Sequence, residues 1–124
     1  LSGADLRGCQ WPNAKLANGW FVLADFRGAD LHEADFTRSD LSGADLSGSN
    51  LSGARFHRAN LAPLRLRRPD GEESSTFRAV NLRGADLRNT SFNGAILTEA
   101  TTDDTRTDGI DLTGANIKGT SFQS

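Results

Sequence analysis

The chain has no tyrosine and no methionine, and only one cysteine, two histidines and three prolines among 124 residues. Each scarcity excludes something. The lone Cys9 rules out an internal disulfide framework or a cysteine-rich zinc site. Without methionine this is not a whole reading frame with its initiator retained, so a targeting signal before Leu1 is left open, with the cytoplasm as the default expectation. Apolar residues make up 36%, and no run approaches the ~18 needed to cross a bilayer, so no membrane segment is expected in this chain. Neither sign of charge dominates: 14 Lys and Arg face 16 Asp and Glu. That excludes a strongly basic nucleic-acid binder and a strongly acidic tail. The length suits one domain, residues 1–124.

What the chain has is a repeat of period five. Its first series of large apolar centres is Leu1, Leu6, Trp11, Leu16, Phe21, Phe26, Leu31, Phe36, Leu41, Leu46, Leu51, Phe56 and Leu61. Two residues before each lies a small one, such as Ala4, Cys9, Ala24, Ser39 or Ser49. A second series, shifted by one in frame, runs through Phe77, Leu82, Leu87, Phe92, Leu97, Thr102, Thr107, Leu112, Ile117 and Phe122. A period of five matches neither the 3.6 of a helix nor the 2 of a flat strand. It demands a coil that turns a corner once per repeat, with the large and small residues inward and three positions toward solvent. Glycine two residues after many centres (Gly8, Gly28, Gly48) suits such a corner.

The units "ADLRG", "ADLSG", "ANLAP" and "ANIKG" resemble the pentapeptide-repeat family, whose pattern is A(D/N)LXX. The resemblance implies an all-β solenoid: a right-handed quadrilateral β-helix with four repeats, or twenty residues, per coil. Dividing 124 by 20 gives about six coils, each resting on its neighbours. With that coil length, residues twenty apart stack. Asp5, Asp25 and Asp45 then form one column, with Arg65 next if the frame holds, and Arg7 and Arg27 lie beside it.

Three stretches depart from the pattern. Residues 62–76, with Pro63, Pro69 and Asp70-Gly71, read as a loop interrupting the frame. Its Arg65, Arg67 and Arg68 are candidate partner contacts, but Asp70, Glu72 and Glu73 balance them; a tolerated insertion is the competing reading. Near the N-terminus Trp20, Val22 and Leu23 occupy positions expected to face solvent, either as an apolar contact patch or as a surface covered by other residues. Between residues 98 and 112, Thr102 and Thr107 replace large centres and thin the core. Asp103, Asp104, Asp108 and Asp111 fit a solvated acidic wall, since counting an EF-hand loop from Asp104 puts Arg106 and Ala115 at ligand positions.

Catalysis needs convergent groups in a concave site, and a narrow rod offers convex sides. Neither His32 nor His57 follows an obvious nucleophile or carboxylate orienter, and Cys9 sits at a small inward position. The expectation is a non-enzymatic module without cofactor, metal or small-molecule substrate, acting structurally or by binding protein. The resemblance adds an alternative, since some members of the family protect DNA gyrase and are thought to mimic duplex DNA. Residues 1–61 carry six positive and seven negative charges, and 77–124 five and six. Such balance suits neither a mimic with one charge per ~1.7 Å nor direct DNA binding. Uncovered solenoid ends leave end-to-end pairing of two copies as one further expectation.

Overall fold

The computed structural model describes residues 3–67 and 73–122. Its organising element is the corner. The carbonyl of most centres accepts the N–H three residues on, as in Cys9 to Leu6 (3.1 Å) and Ala29 to Phe26 (3.0 Å). The residue two after the centre has positive φ, from Gly3 at 66° to Gly119 at 80°. Positive φ at the third residue alone defines a type II turn. Eleven of these corner residues are glycine and nine are not, Leu23, Arg38 and Arg58 among the latter.

The recurrent Asp or Asn before each centre is part of the same corner. Its Oδ1 accepts the N–H of the residue after the centre: Arg27 to Asp25 (3.1 Å), Ser47 to Asp45 (3.0 Å), Arg83 to Asn81 (2.9 Å). A short acceptor side chain closing on its own backbone two residues on suits Asp and Asn and few other types. The pattern A(D/N)L therefore encodes a hydrogen bond.

Four corners close a coil, and coils stack through sixteen parallel bridges in four columns of five rungs. The outward residues are Asp5, Asp25, Asp45, Asn81 and Thr101 on side 1, and Gln10, Asp30, Asn50, Asp86 and Arg106 on side 2. Side 3 has Lys15, Asp35, Arg55, Ser91 and Asp111, and side 4 has Trp20, Asp40, Asn60, Ile96 and Asn116. Each rung is held on both sides, as in Leu6 N to Asp25 O (2.8 Å) and Asp25 N to Ala4 O (2.9 Å). Among the described residues the columns have five rungs where about six coils were expected, because residues 62–78 do not join the ladder.

The departure begins at Pro63, two positions after the centre Leu61. Proline fixes φ near −65°, so the positive-φ corner cannot form there and the chain leaves the coil. It makes an antiparallel hairpin of β1 (Leu64–Arg67) and β2 (Glu73–Arg78), with Leu64 paired to Arg78 and Arg65 to Phe77. Within the expected loop at 62–76 the described residues are therefore paired strands, and residues 68–72 lie outside the described residues. Phe77 lies on β2, and Leu64 and Leu66 lie on β1. Arg65 does not continue the Asp45 column; Asn81 does, thirty-six residues on instead of twenty. The difference is a sixteen-residue insertion that leaves the ladder unbroken: Leu46 N reaches Asn81 O at 2.7 Å and Asn81 N reaches Ala44 O at 3.1 Å.

Inside the coils the centres stack in columns. Phe36, Phe56 and Phe92 lie ring over ring, with centroids 4.9 and 5.0 Å apart. Phe21, Phe26, Leu31, Leu41, Leu46, Leu51, Leu61, Leu82 and Leu87 are buried with them. Ser39 and Ser49, at small inward positions, are buried too, and their hydroxyls reach the carbonyls of Leu16 (2.7 Å) and Leu46 (2.6 Å). Toward the ends burial falls: Leu6, Trp11, Leu112, Ile117 and Phe122 are half-buried. These were expected in the core; the described coils cover them from one direction only.

Candidate interaction surface

Side 1 carries the acidic column. Asp5 receives Arg7 through both Nε (2.8 Å) and Nη2 (2.8 Å), and Asp25 receives Arg27 in the same way (2.9 and 2.7 Å). Across the rungs Arg7 lies 3.8 Å from Asp25, and Arg27 lies 3.9 Å from Asp45. The hydrogen bonds from Arg7 hold Asp5 down to a pKa of about 2, and those from Arg27 lower that of Asp25. The column is a zipper of alternating charges and not a bare acidic ladder.

Sides 2 and 3 use similar local pairs. Arg88 binds Asp86 at 2.7 Å, and the Asp86 carboxyl is lowered by that hydrogen bond. His32 Nδ1 lies 2.6 Å from Asp30 Oδ1, and His57 Nε2 lies 2.9 Å from Ser91 Oγ. Both histidines therefore have partners, contrary to the expectation from their sequence neighbours. The partner of His57 comes from the next coil across the insertion, which nothing in the local sequence signals. The His57–Ser91 pair lies on the outward wall of side 3, with His57 exposed, and among the described residues no carboxylate is within hydrogen-bond distance of the ring.

The three apolar residues expected as one patch separate. Trp20 is 64% exposed on side 4, whereas Val22 and Leu23 are half-buried. Leu23 lies at the corner toward side 1, where a Cβ on Gly43 would fall 2.9 Å from Leu23 Cδ2, 3.1 Å from Leu64 Cβ and 3.6 Å from the Arg78 carbonyl. The hairpin base thus rests on Gly43 and Leu23, and the neighbouring Ser42 is buried. The base creates a notch of about 270 Å³ against side 1, lined by Leu23, Asp25, Arg27, Asp45 and Arg78. Of the expected contact arginines, Arg65 and Arg67 lie on β1, and Arg68 lies outside the described residues, as does Asp70-Gly71. Sequence reasoning missed Ile96, 43% exposed in the Trp20 column. Its signal was available, since Ile96 stands in the Asp/Asn position of "GAILT".

The sequence model described as pentapeptide repeats matches residues 1–43, 24–62 and 75–101, with eight copies. The chain belongs to the pentapeptide-repeat family. Among solved structures it is similar to Rfr23, a pentapeptide-repeat protein of the cyanobacterium Cyanothece, at 22% identity and a TM-score of 0.79, covering 99% of this chain and 86% of that one. It is similarly like a pentapeptide-repeat protein of the Arabidopsis thaliana thylakoid lumen (22% identity, TM-score 0.78, 96% and 72% covered). HetL of Nostoc, described as involved in heterocyst differentiation regulation, shows 26% identity and a TM-score of 0.54 over 95% of this chain and 59% of its own. No curated protein matches the sequence. These likenesses establish the quadrilateral β-helix.

Two features of this pentapeptide-repeat protein complete the survey. Cys9 is half-buried rather than fully enclosed, and burial raises the pKa of its thiol. At the C-terminal coil the small Thr102 and Thr107 leave a cavity of about 570 Å³, bordered by Ile110, Leu112 and Phe122 and by Asp103, Asp104 and Arg83. Asp103, Asp104 and Asp108 are exposed, Asp104 lies 3.6 Å from Arg83, and Asp111 Oδ1 accepts Thr113 N–H at 2.9 Å. No group of three potential metal ligands comes together among the described residues.

Proposed function

We propose that this pentapeptide-repeat protein is a non-enzymatic module that acts by binding another protein, with the hairpin of residues 62–78 and the neighbouring Trp20 as its contact region. In this reading residues 1–124 form one domain on a right-handed quadrilateral β-helix. The observation that carries it is that the ladder closes across the insertion as if the hairpin were absent. An element the fold does not need, whose base rests on the wall at Gly43, is free to serve contact. Side 1 supports the same reading by default, because its charges are satisfied internally, which removes the support a duplex-mimicking surface would need.

The test follows from the frame. Removing residues 62–77 joins Leu61 to Arg78, places Ala79 at the corner and returns Val80, Asn81 and Leu82 to the repeat. With Ala79→Gly to allow positive φ, the excised protein is expected to keep its circular dichroism spectrum and cooperative melting. In affinity capture it is expected to lose partners that the intact protein retains, and Trp20→Ser to lose them in part. If the captured set survives both changes, the reading is wrong.

A further inference from the structure

Side 4 differs from the other walls in its outward chemistry. Trp20 and Ile96 are the exposed large apolar residues among those described, and both stand in its bridge column, separated by Asp40 and Asn60. The charge at its centre is engaged: Asp40 Oδ1 accepts Ser42 N–H (3.0 Å) and Oγ–H (2.8 Å), with Asn60 Nδ2 at 3.4 Å. Along the corner shared with side 3 stand Arg38 and Arg58, one coil apart, both exposed and both at positive φ (58° and 54°). Arg7, Arg27, Arg83 and Arg88 each meet a carboxylate, but among the described residues no carboxylate lies within ion-pair distance of Arg38 or Arg58. Arg55 and His57 extend the basic edge onto side 3, and Lys118 stands at the far end of side 4; Asp35 and Asp111 on side 3 and Glu99 at the opposite corner are the opposing charges on the flanks. Left-handed backbone is costly for arginine and free for glycine, so these positions serve local stability poorly.

We infer that side 4 and its arginine edge form a docking surface for an acidic, extended peptide segment of a partner protein, with an apolar residue at each end. The geometry sets the length. Trp20 and Ile96 are three rungs apart, about 14 Å at the usual interstrand spacing, and four residues of extended chain span about 13 Å. Apolar side chains at positions i and i+4 of the segment meet Trp20 and Ile96, and carboxylates between them meet Arg38 and Arg58. A second copy of this chain is the poorer occupant, because the one carboxylate in the middle of its own side 4, Asp40, is already engaged by Ser42. A single-stranded nucleic acid is poorer too, because Asp40 lies in mid-wall and the chain carries net charge −2. The inference rests on the proposed function's premise that the protein binds protein and shares Trp20 with its contact region, but it uses Arg38, Arg58 and Ile96 in place of residues 62–77, so the excised variant is expected to retain it.

Fluorescence anisotropy with three labelled peptides tests this on the intact chain: Leu-Asp-Glu-Asp-Leu, Leu-Lys-Lys-Lys-Leu and Ala-Asp-Glu-Asp-Ala. The first is expected to bind saturably and to weaken as salt rises from about 0.05 to 0.3 M. The Ala-ended peptide is expected to bind several-fold more weakly, and the lysine peptide not at all. The decisive variant is Arg38→Gly with Arg58→Gly. Glycine suits the left-handed corner, so the double variant is expected to melt no lower than the parent, yet to lose about ten-fold in affinity for the acidic peptide. Four results would each overturn the inference: no saturable binding, equal binding of the lysine peptide, undiminished binding by the double glycine variant, or equal binding of labelled oligo-dT. Sedimentation that shows dimers abolished by Trp20→Ser would overturn it in favour of a second copy.

Discussion

Sides 1 and 4 are built on the same corners and the same ladder, yet their outward residues behave oppositely. On side 1 the outward Asp5 and Asp25 bond backward to their corner and sideways to Arg7 and Arg27, so the wall satisfies itself. On side 4 Trp20 and Ile96 replace the corner acceptor altogether and spread apolar surface into solvent. The contrast separates two tasks for one sequence position. A residue that closes the corner belongs to the scaffold; a residue that gives up that bond presents its side chain at the surface instead.

The largest perturbation should strike both walls at once. Phe56 is the middle ring of the stacked column and fully buried, so Phe56→Ala is expected to cost about 3–5 kcal/mol in urea unfolding. A smaller loss would mean that the coils do not share their stability through the column. Next, the walls should respond unequally. Asp25→Ala removes a corner acceptor and a paired guanidinium contact and is expected to cost about 1 kcal/mol. Trp20→Ser should stay within about 0.5 kcal/mol, as for surface changes away from such features. Equal costs at the two positions would erase the distinction between scaffold and surface.

The finest discriminant is pH. The carboxyls of Asp5, Asp25, Asp30, Asp35, Asp86 and Asp111 are all lowered in the folded protein, first of all by side-chain hydrogen bonds from Arg7, Arg27, His32, Thr37, Arg88 and Thr113 respectively. A lowered folded pKa means stability that is present above the ordinary value of 3.8 and lost as pH falls through the folded values, toward about 2 for Asp5. The melting temperature is therefore expected to decline below pH 4. In Asp25→Ala that decline should be shallower, and in Trp20→Ser unchanged.

Much of this was legible before any coordinates. The inward columns could be written down because every centre and its small partner recur at a fixed interval, and Pro63 marks where the chain must leave the coil. The Asp and Asn residues were read as surface charge, although their regular place before each centre was the signal of a corner bond. His57 and Ser91 were not legible as a pair, since they meet across the insertion. Nor was the arginine edge, because Arg38 and Arg58 read singly as solvated charges and become a pair only when stacked.

By itself, then, the sequence determined the repeat, the corner and the inward columns, because these depend on residues within five positions of one another. The three-dimensional structure decided how rungs register across sixteen inserted residues, which end centres lose cover, where the hairpin base sits on Gly43, and that Trp20 shares a wall with Ile96. Those facts depend on contacts between coils. Stacking brings together residues twenty or thirty-six positions apart, and it does so for whatever side chains happen to occupy those positions.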